Sequence, residues 1–232
     1  MVSKRLTYFF SFSFFLLAII VMSVRHLGLP DLENIFKPLL LPTLMLWFGF
    51  DQRAKGIKIN WVFILALFFS MLGDVFLMPL IDNFILGLVF FLISHLIYIS
   101  VFLKGNTQKI KPSLKQGLLF VFIIISIYFG LLIILMPPIM ELNSLVLLIA
   151  VPIYATVLLA MVLSAFVYSK VYFYQFGKFV LLGGIFFFVS DSILAINKFT
   201  LEMSLAPVLV MGTYTFAQWL LVYGYMNSKK ND

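Results

Sequence analysis

The sequence predicts an all-α protein, a polytopic bundle of eight transmembrane helices. Three observations lead to this prediction. Hydrophobic residues make up 63% of the chain and charged residues only 11%, the apolar residues form long runs, and the basic residues collect in alternate links between those runs. Soluble domains are about 45–50% apolar and about 25% charged. Lipid is therefore the expected solvent for most of this chain.

Polar residues divide the chain into eight apolar runs of roughly 20 residues, each able to cross a ~30 Å hydrocarbon core. Backbone groups in lipid must pair within their own segment, so each run is predicted to be a helix. A membrane barrel would need shorter segments of alternating polarity, which the sequence does not contain. We expect one domain over residues 1–232, with spans at 6–24, 34–50, 59–80, 83–103, 114–135, 144–168, 177–198 and 204–226.

The first run could instead be a signal peptide, because Lys4 and Arg5 precede it. No small-x-small cleavage site precedes Arg25, and the run is long enough to cross the membrane. We therefore expect an uncleaved transmembrane helix.

The links between the later spans are mostly short. A tight link around Pro79 and Asp82 joins the third and fourth spans, and Pro137–Pro138 is expected to end the fifth. The longest polar link is 104–115.

Basic residues predict the orientation of the bundle. Alternate links are rich in lysine and arginine, and the positive-inside rule places those links and both termini in the cytoplasm. With a net charge of +7, these short links are expected to contact anionic lipid head groups rather than nucleic acid. The membrane is expected to be a bacterial cytoplasmic membrane. The predicted inner charges are Lys4, Arg5, Arg53, Lys55, Lys58, Lys104, Lys109, Lys111, Lys115, Lys170, Lys178, Lys229 and Lys230.

The third and seventh spans resemble each other, which suggests a parallel repeat of four helices. Each places a small residue before an aspartate, in Gly73–Asp74 and Ser190–Asp191, and the preceding spans carry Pro42 and Pro152. Two such units related by an axis along the membrane normal would bring Asp74 and Asp191 together at similar depth. At about 1.5 Å per residue, they would lie about 9 Å and about 12 Å below the outer helix ends.

Several polar residues within the spans are candidates for a functional site. A lone charge in the membrane costs at least ~2.5–3.5 kcal/mol, so an intramembrane carboxylate is a functional hypothesis by default. For the other candidates, interhelical hydrogen bonding and lysine snorkelling are the alternatives. The candidate catalytic residues are Asp74, Asp191 and His95, and the candidate substrate-binding residues are Lys37, Tyr98, Lys198, Tyr214 and Gln218.

The sequence lacks several signatures of other reaction mechanisms. It has no cysteine and no GxSxG or HExxH motif. One histidine and two aspartates could bind a metal, but nothing in the sequence requires a metal or another cofactor. Two close carboxyls in a low dielectric cannot both ionise easily, so one is expected to donate a proton while the other accepts one. This arrangement suits hydrolysis of an acid-labile bond in a lipid.

Five segments resemble the YhhN family of integral membrane proteins, whose characterised members are lysoplasmalogenases. The GD, SH, SD and AQ elements are fairly specific together, and Ser94 stands where many relatives have glycine. The segments are KPLLLPTL (37–44), LGDVFL (72–77), FFLISHLIY (90–98), FFFVSDSILAINKF (186–199) and YTFAQWLLVYG (214–224).

The resemblance implies hydrolysis of the vinyl ether bond of a lysoplasmalogen, a lysophospholipid, to a fatty aldehyde and glycerophospho-ethanolamine or -choline. One aspartate would protonate the vinyl carbon and the other would stabilise the cation and activate water. His95 would orient a carboxyl or relay protons, and Lys37 and Lys198 would hold the phosphate. Two alternatives stay open at this point: hydrolysis of another ether or lysolipid, and proton-coupled transport of a small molecule. The sequence gives no oligomeric state.

Overall fold

The computed structural model describes residues 2–104, 114–171 and 176–228, with side chains from 5–104, 117–171 and 176–228. All regular elements in these ranges are helical. They are α1 (Val2–His26), α2 (Pro30–Phe36), a 3-10 turn (Lys37–Leu39), α3 (Leu40–Ala54), α4 (Trp61–Phe76), α5 (Phe84–Leu103), α6 (Leu114–Glu141), α7 (Leu145–Val171), α8 (Gly177–Phe199) and α9 (Ala206–Ser228). Of the predicted inner charges, Lys109, Lys111, Lys229, Lys230 and the side chains of Lys4 and Lys115 lie outside the described residues.

Six of the described helices, α1 and α5 to α9, are long and apolar enough to cross a membrane. The chain is therefore an all-helical protein with the features of an integral membrane bundle. The third predicted span forms the shorter apolar helix α4. The second is divided among α2, the 3-10 turn and α3.

Two predicted helix ends differ from the structure. α4 ends at Phe76, four residues before the predicted end of its span, so Asp74 lies in the last turn of the helix. The expectation that Pro137–Pro138 ends a helix is wrong, because α6 continues through the pair to Glu141. Each proline removes one N–H donor and crowds the carbonyl of the preceding turn, but membrane helices tolerate such interruptions because other groups satisfy the freed backbone.

Side-chain caps begin the two helices of the α4–α5 pair. The Asn60 side chain accepts hydrogen bonds from the backbone N–H groups of the first turn of α4, and Asn83 accepts one from Leu86 at the start of α5. Asn caps satisfy N–H groups that have no partner within the helix. Asp82, just before Asn83, has a positive φ of 44°, a conformation that reverses the chain between α4 and α5.

Small residues allow the helices around the centre of the bundle to approach closely. At Gly224 of α9, a Cβ atom would lie 2.7 Å from the backbone nitrogen of Val180 in α8. At Gly73 of α4, it would lie 2.6 Å from the ring of Phe91 in α5. Such close contacts are typical of membrane helix pairs, where packing rather than the hydrophobic effect drives association. α5 also packs on α7, and α9 on α1 and α3.

Candidate active site

A polar cavity lies at the end of the bundle where α1, α4 and α8 finish. Its volume is about 240 Å³. Both candidate aspartates and both candidate lysines line the cavity, together with Arg25 in the last turn of α1. The charged and hydrogen-bonding side chains of this polar cavity are Arg25, Lys37, Asp74, Asp82, Ser190, Asp191, Asn197, Lys198 and Tyr214.

Asp74 is buried in the last turn of α4, with one partner for each carboxylate oxygen. Its Oδ2 accepts a hydrogen bond from the Tyr214 hydroxyl at 2.6 Å, and its Oδ1 lies 4.0 Å from Nζ of Lys37. Lys37 is only 3% exposed. Its ammonium group therefore turns inward to the carboxyl, which is not the extended position that snorkelling would give.

Tyr98 and Gln218 lie behind Tyr214 and do not line the polar cavity. The Tyr98 hydroxyl donates to Oε1 of Gln218 at 2.9 Å, and Nε2 of Gln218 donates to the Tyr214 hydroxyl oxygen at 3.4 Å. All three side chains are buried. This chain of hydrogen bonds ends at the Tyr214 hydroxyl, which donates to Asp74, so Tyr98 and Gln218 are linked to the polar cavity only through Tyr214.

Asp191 is contacted by two side chains that come from different helices. Its Oδ2 accepts a hydrogen bond from the Tyr154 hydroxyl of α7. The same oxygen lies 3.5 Å from Nε2 of His95 on α5, and this nitrogen is 3.0 Å from the Tyr154 hydroxyl. His95 is fully buried, and its Nδ1 has no hydrogen-bond partner among the described residues. Asp191, Tyr154 and His95 therefore form a compact group in which a proton can be passed.

The two carboxyls belong to separate groups of partners. In the described part of the chain, no hydrogen bond joins Asp74 to Asp191, although both line the polar cavity. The two carboxyl groups therefore do not pass a proton to each other through a direct hydrogen bond. A substrate in the cavity would instead have one carboxyl on each side.

Asp191 also borders a second, apolar cavity. This apolar cavity lies between α5, α6, α7 and α8 and is small, with a volume of about 40 Å³. Its walls are almost entirely aliphatic or aromatic, and they include Leu131 and Leu135 of α6 and Ala155 and Leu158 of α7. Five residues line both cavities and so mark the place where they meet: Leu77, Phe84, Phe91, Asp191 and Leu194.

Tyr154, Arg25 and Asp82 are not among the site residues predicted from the sequence. Tyr154 lies in a long apolar run, two residues after Pro152, and a polar residue so close to a proline was the available signal. Arg25 and Asp82 lie outside the spans, where charge is ordinary. The described residues contain no group of three or more His, Cys, Asp or Glu side chains placed to hold a metal ion.

Residues 32–225 match the YhhN family, from α2 to the last turns of α9. The chain belongs to the YhhN family. The resemblance carried by the GD, SH, SD and AQ elements is thereby confirmed, and the match includes every candidate site residue. For this YhhN-family protein, no curated protein and no solved structure gives a match.

Proposed function

We propose that this YhhN-family protein is a lysoplasmalogenase-like hydrolase that cleaves the vinyl ether bond of a single-chain phospholipid. One observation carries the proposal: two buried carboxyls flank one polar cavity, and one of them also borders a small cavity with apolar walls. The products are a fatty aldehyde and a glycerophospho-ethanolamine or -choline.

The reaction begins with protonation of the vinyl carbon β to the ether oxygen, which gives an oxocarbenium ion. We assign the proton donor to Asp191, because the Tyr154 hydroxyl and His95 can return a proton to it. General acid catalysis of this kind typically contributes about 10²–10⁴-fold. The electron pair of the C=C double bond forms the new C–H bond to the transferred proton.

Asp74 then acts on the cation. In its ionised form beside the Lys37 ammonium, it supplies a fixed negative charge that stabilises a nearby oxocarbenium ion. The same carboxylate takes a proton from water as the water oxygen bonds to the cationic carbon. The resulting hemiacetal collapses to the aldehyde and the glycerol hydroxyl, so the net reaction consumes one water.

The proposal extends to how the chain crosses the membrane. We infer eight crossings, with α2, the 3-10 turn and α3 forming one of them, in a bacterial cytoplasmic membrane with both termini inside. We also infer a repeat of four helices, in which α3, α4 and α5 correspond to α7, α8 and α9. In support, Asp74 is contacted from the turn before α3 and from α9, and Asp191 from α7 and α5.

Turnover of purified protein in lipid nanodiscs with a lysoplasmalogen tests the reaction. We expect fatty aldehyde by mass spectrometry, and in D2O one deuterium at the carbon next to the aldehyde group. Asp74→Asn and Asp191→Asn should each lower kcat by about 10²–10⁴-fold. Asp31→Asn, which changes an exposed carboxylate outside the cavity, is the matched control.

Three results would contradict the proposal: aldehyde without solvent deuterium, full turnover by either variant, or release of a fatty acid from other lysolipids instead. Uptake into proteoliposomes driven by a pH gradient, without any product, would favour the transporter.

A further inference from the structure

We propose that an anionic phospholipid with two acyl chains binds in an open groove between α3 and α4, far from the polar cavity. Its phosphate lies at Arg53, one chain lies along the groove, and the other chain stays in the bilayer. The site does not rest on the proposed function. It lies at the first turns of α4, where Trp61 is about 20 Å along the helix from Asp74 at about 1.5 Å per residue.

The α3–α4 groove has apolar walls and a volume of about 260 Å³. Leu46 and Phe50 of α3 form one wall, and Ile64 of α4 lies on the other. Gly49 also lines the groove, and a Cβ atom at this position would meet no atom within 4 Å. A glycine therefore leaves open space between two helices at a point where a larger side chain would fill it.

The charge at this end of α3 is positive and uncompensated. Arg53 lines the groove, is exposed, and has no salt bridge within the described residues. Lys58, in the link that follows, is likewise exposed and unpaired there. Lys55 differs, because Asp51 neutralises it at 2.5 Å. The sequence has no acidic residue between Asp51 and Asp74, so the groove is complementary to an anion.

Two side chains suit the head-group level of a membrane. Trp61 begins α4 with 67% of its surface exposed, and tryptophan is enriched where a bilayer meets water. Arg53 can donate two parallel hydrogen bonds to one phosphate. A groove of similar size between α5 and α7, about 320 Å³, has no charged residue in its lining. That second groove could hold a chain but has no group to bind a phosphate.

A lipid in the α3–α4 groove would contact two helices that also meet near the candidate active site. α3 follows the turn that carries Lys37, and α4 carries Asp74. Bound lipid would hold the opposite ends of these helices together. A ligand that binds only the folded protein raises its stability, so an anionic phospholipid should raise the Tm.

Native mass spectrometry of the delipidated protein in detergent tests the head-group preference. The probes are dioleoyl phosphatidylglycerol and dioleoyl phosphatidylcholine, which share their chains and differ in net charge. We expect the wild type to bind the anionic probe about fivefold more tightly, which is the effect of one basic residue near a membrane surface. Arg53→Gln should lose most of that preference. Lys104→Gln removes an exposed basic residue outside the groove and is the matched control.

Filling the groove tests where the chain lies. Gly49→Leu should weaken both probes about tenfold, equivalent to the lost burial of about two methylene groups. The Tm of the lipid-free protein should not fall, because leucine favours a helix and its Cβ meets no atom within 4 Å. Gly49→Ala is the milder variant and should show a smaller loss. Gly130→Leu, at an open position of α6, is the matched control.

Equal binding of the two probes by the wild type would overturn the site. An equal loss of preference in Arg53→Gln and Lys104→Gln would also overturn it, because the attraction would then be spread over the whole basic end. Unchanged binding in both Gly49 variants would do the same. A rise in Tm with phosphatidylglycerol that Arg53→Gln abolishes would support the site. These measurements do not involve aldehyde release, so a failure of the proposed reaction would leave the site standing.

Discussion

Each buried carboxyl of the site is held by a tyrosine from another helix. Tyr214 donates to Asp74, and Tyr154 donates to Asp191. A hydrogen bond to a charged group is worth about 1.5–3 kcal/mol, and a buried charge left without it is costly. In the proposed reaction both tyrosines would act through the aspartates as positioning residues, and both line a cavity.

Removal of either hydroxyl should slow the reaction more than it weakens binding. We expect Tyr154→Phe and Tyr214→Phe each to lower kcat by about 10–100-fold, with KM changed less than about threefold, because the aromatic ring stays in place. Steady-state aldehyde release measures both constants. Tyr128→Phe removes a hydroxyl that bonds to Thr156 at an exposed position and is the control. An increase in KM with unchanged kcat would show that the hydroxyls bind substrate instead.

At the scale of the helices, close packing of α8 on α9 fixes the distance across the site. Asp191 and Tyr214 lie on these two helices, and Gly183 and Gly224 allow their backbones to approach. A methyl group at Gly224 would contact the backbone of Val180, which cannot move away as a flexible side chain can. The geometry of the site therefore depends on residues that have no chemistry of their own.

Gly224→Ala should destabilise the protein and also reduce turnover. We expect a cost of about 1–3 kcal/mol, as for other overpacked positions, seen as a lower Tm in detergent. Gly130→Ala in α6 is the matched control, because a Cβ there meets nothing within 4 Å and alanine favours a helix. Equal Tm values for the two variants would contradict the role assigned to the α8–α9 contact.

At the scale of the whole molecule, the orientation in the membrane decides which side supplies substrate. The polar cavity lies at the end of the bundle that holds Asp82 and Lys198, and the positive-inside rule predicts that this end faces outward. The opposite end carries Lys55, which bonds to Asn227 near the C-terminus of α9. Head groups would then enter from the outer leaflet.

Single cysteines can test this orientation directly, because the natural chain has none. We expect Glu202→Cys to react with a membrane-impermeant maleimide on intact cells, and Lys104→Cys to react only after the membrane is opened. Labelling is read by mass shift on a gel. Reaction of both variants in intact cells would contradict eight crossings. Reaction of Lys104→Cys but not Glu202→Cys in intact cells would show that the bundle has the opposite orientation.

Composition and local spacing were enough to predict the all-helical class of the protein and to single out the two aspartates that line its polar cavity. Apolar runs of sufficient length allow only helices in lipid, and the cost of a charge in lipid makes Asp74 and Asp191 candidates for function wherever the helices pack. The order of the motifs also identified the family. These conclusions depend on properties of the chain alone, so they could be reached from its residues.

Which side chains meet was settled by the packing of the helices in three dimensions. Packing turned Lys37 toward Asp74, placed Tyr154 on Asp191, moved Tyr98 and Gln218 behind the cavity, and carried α6 through its two prolines. The physical reason is that lipid and protein interior are equally apolar, so a membrane helix carries little signal for which of its faces packs inward.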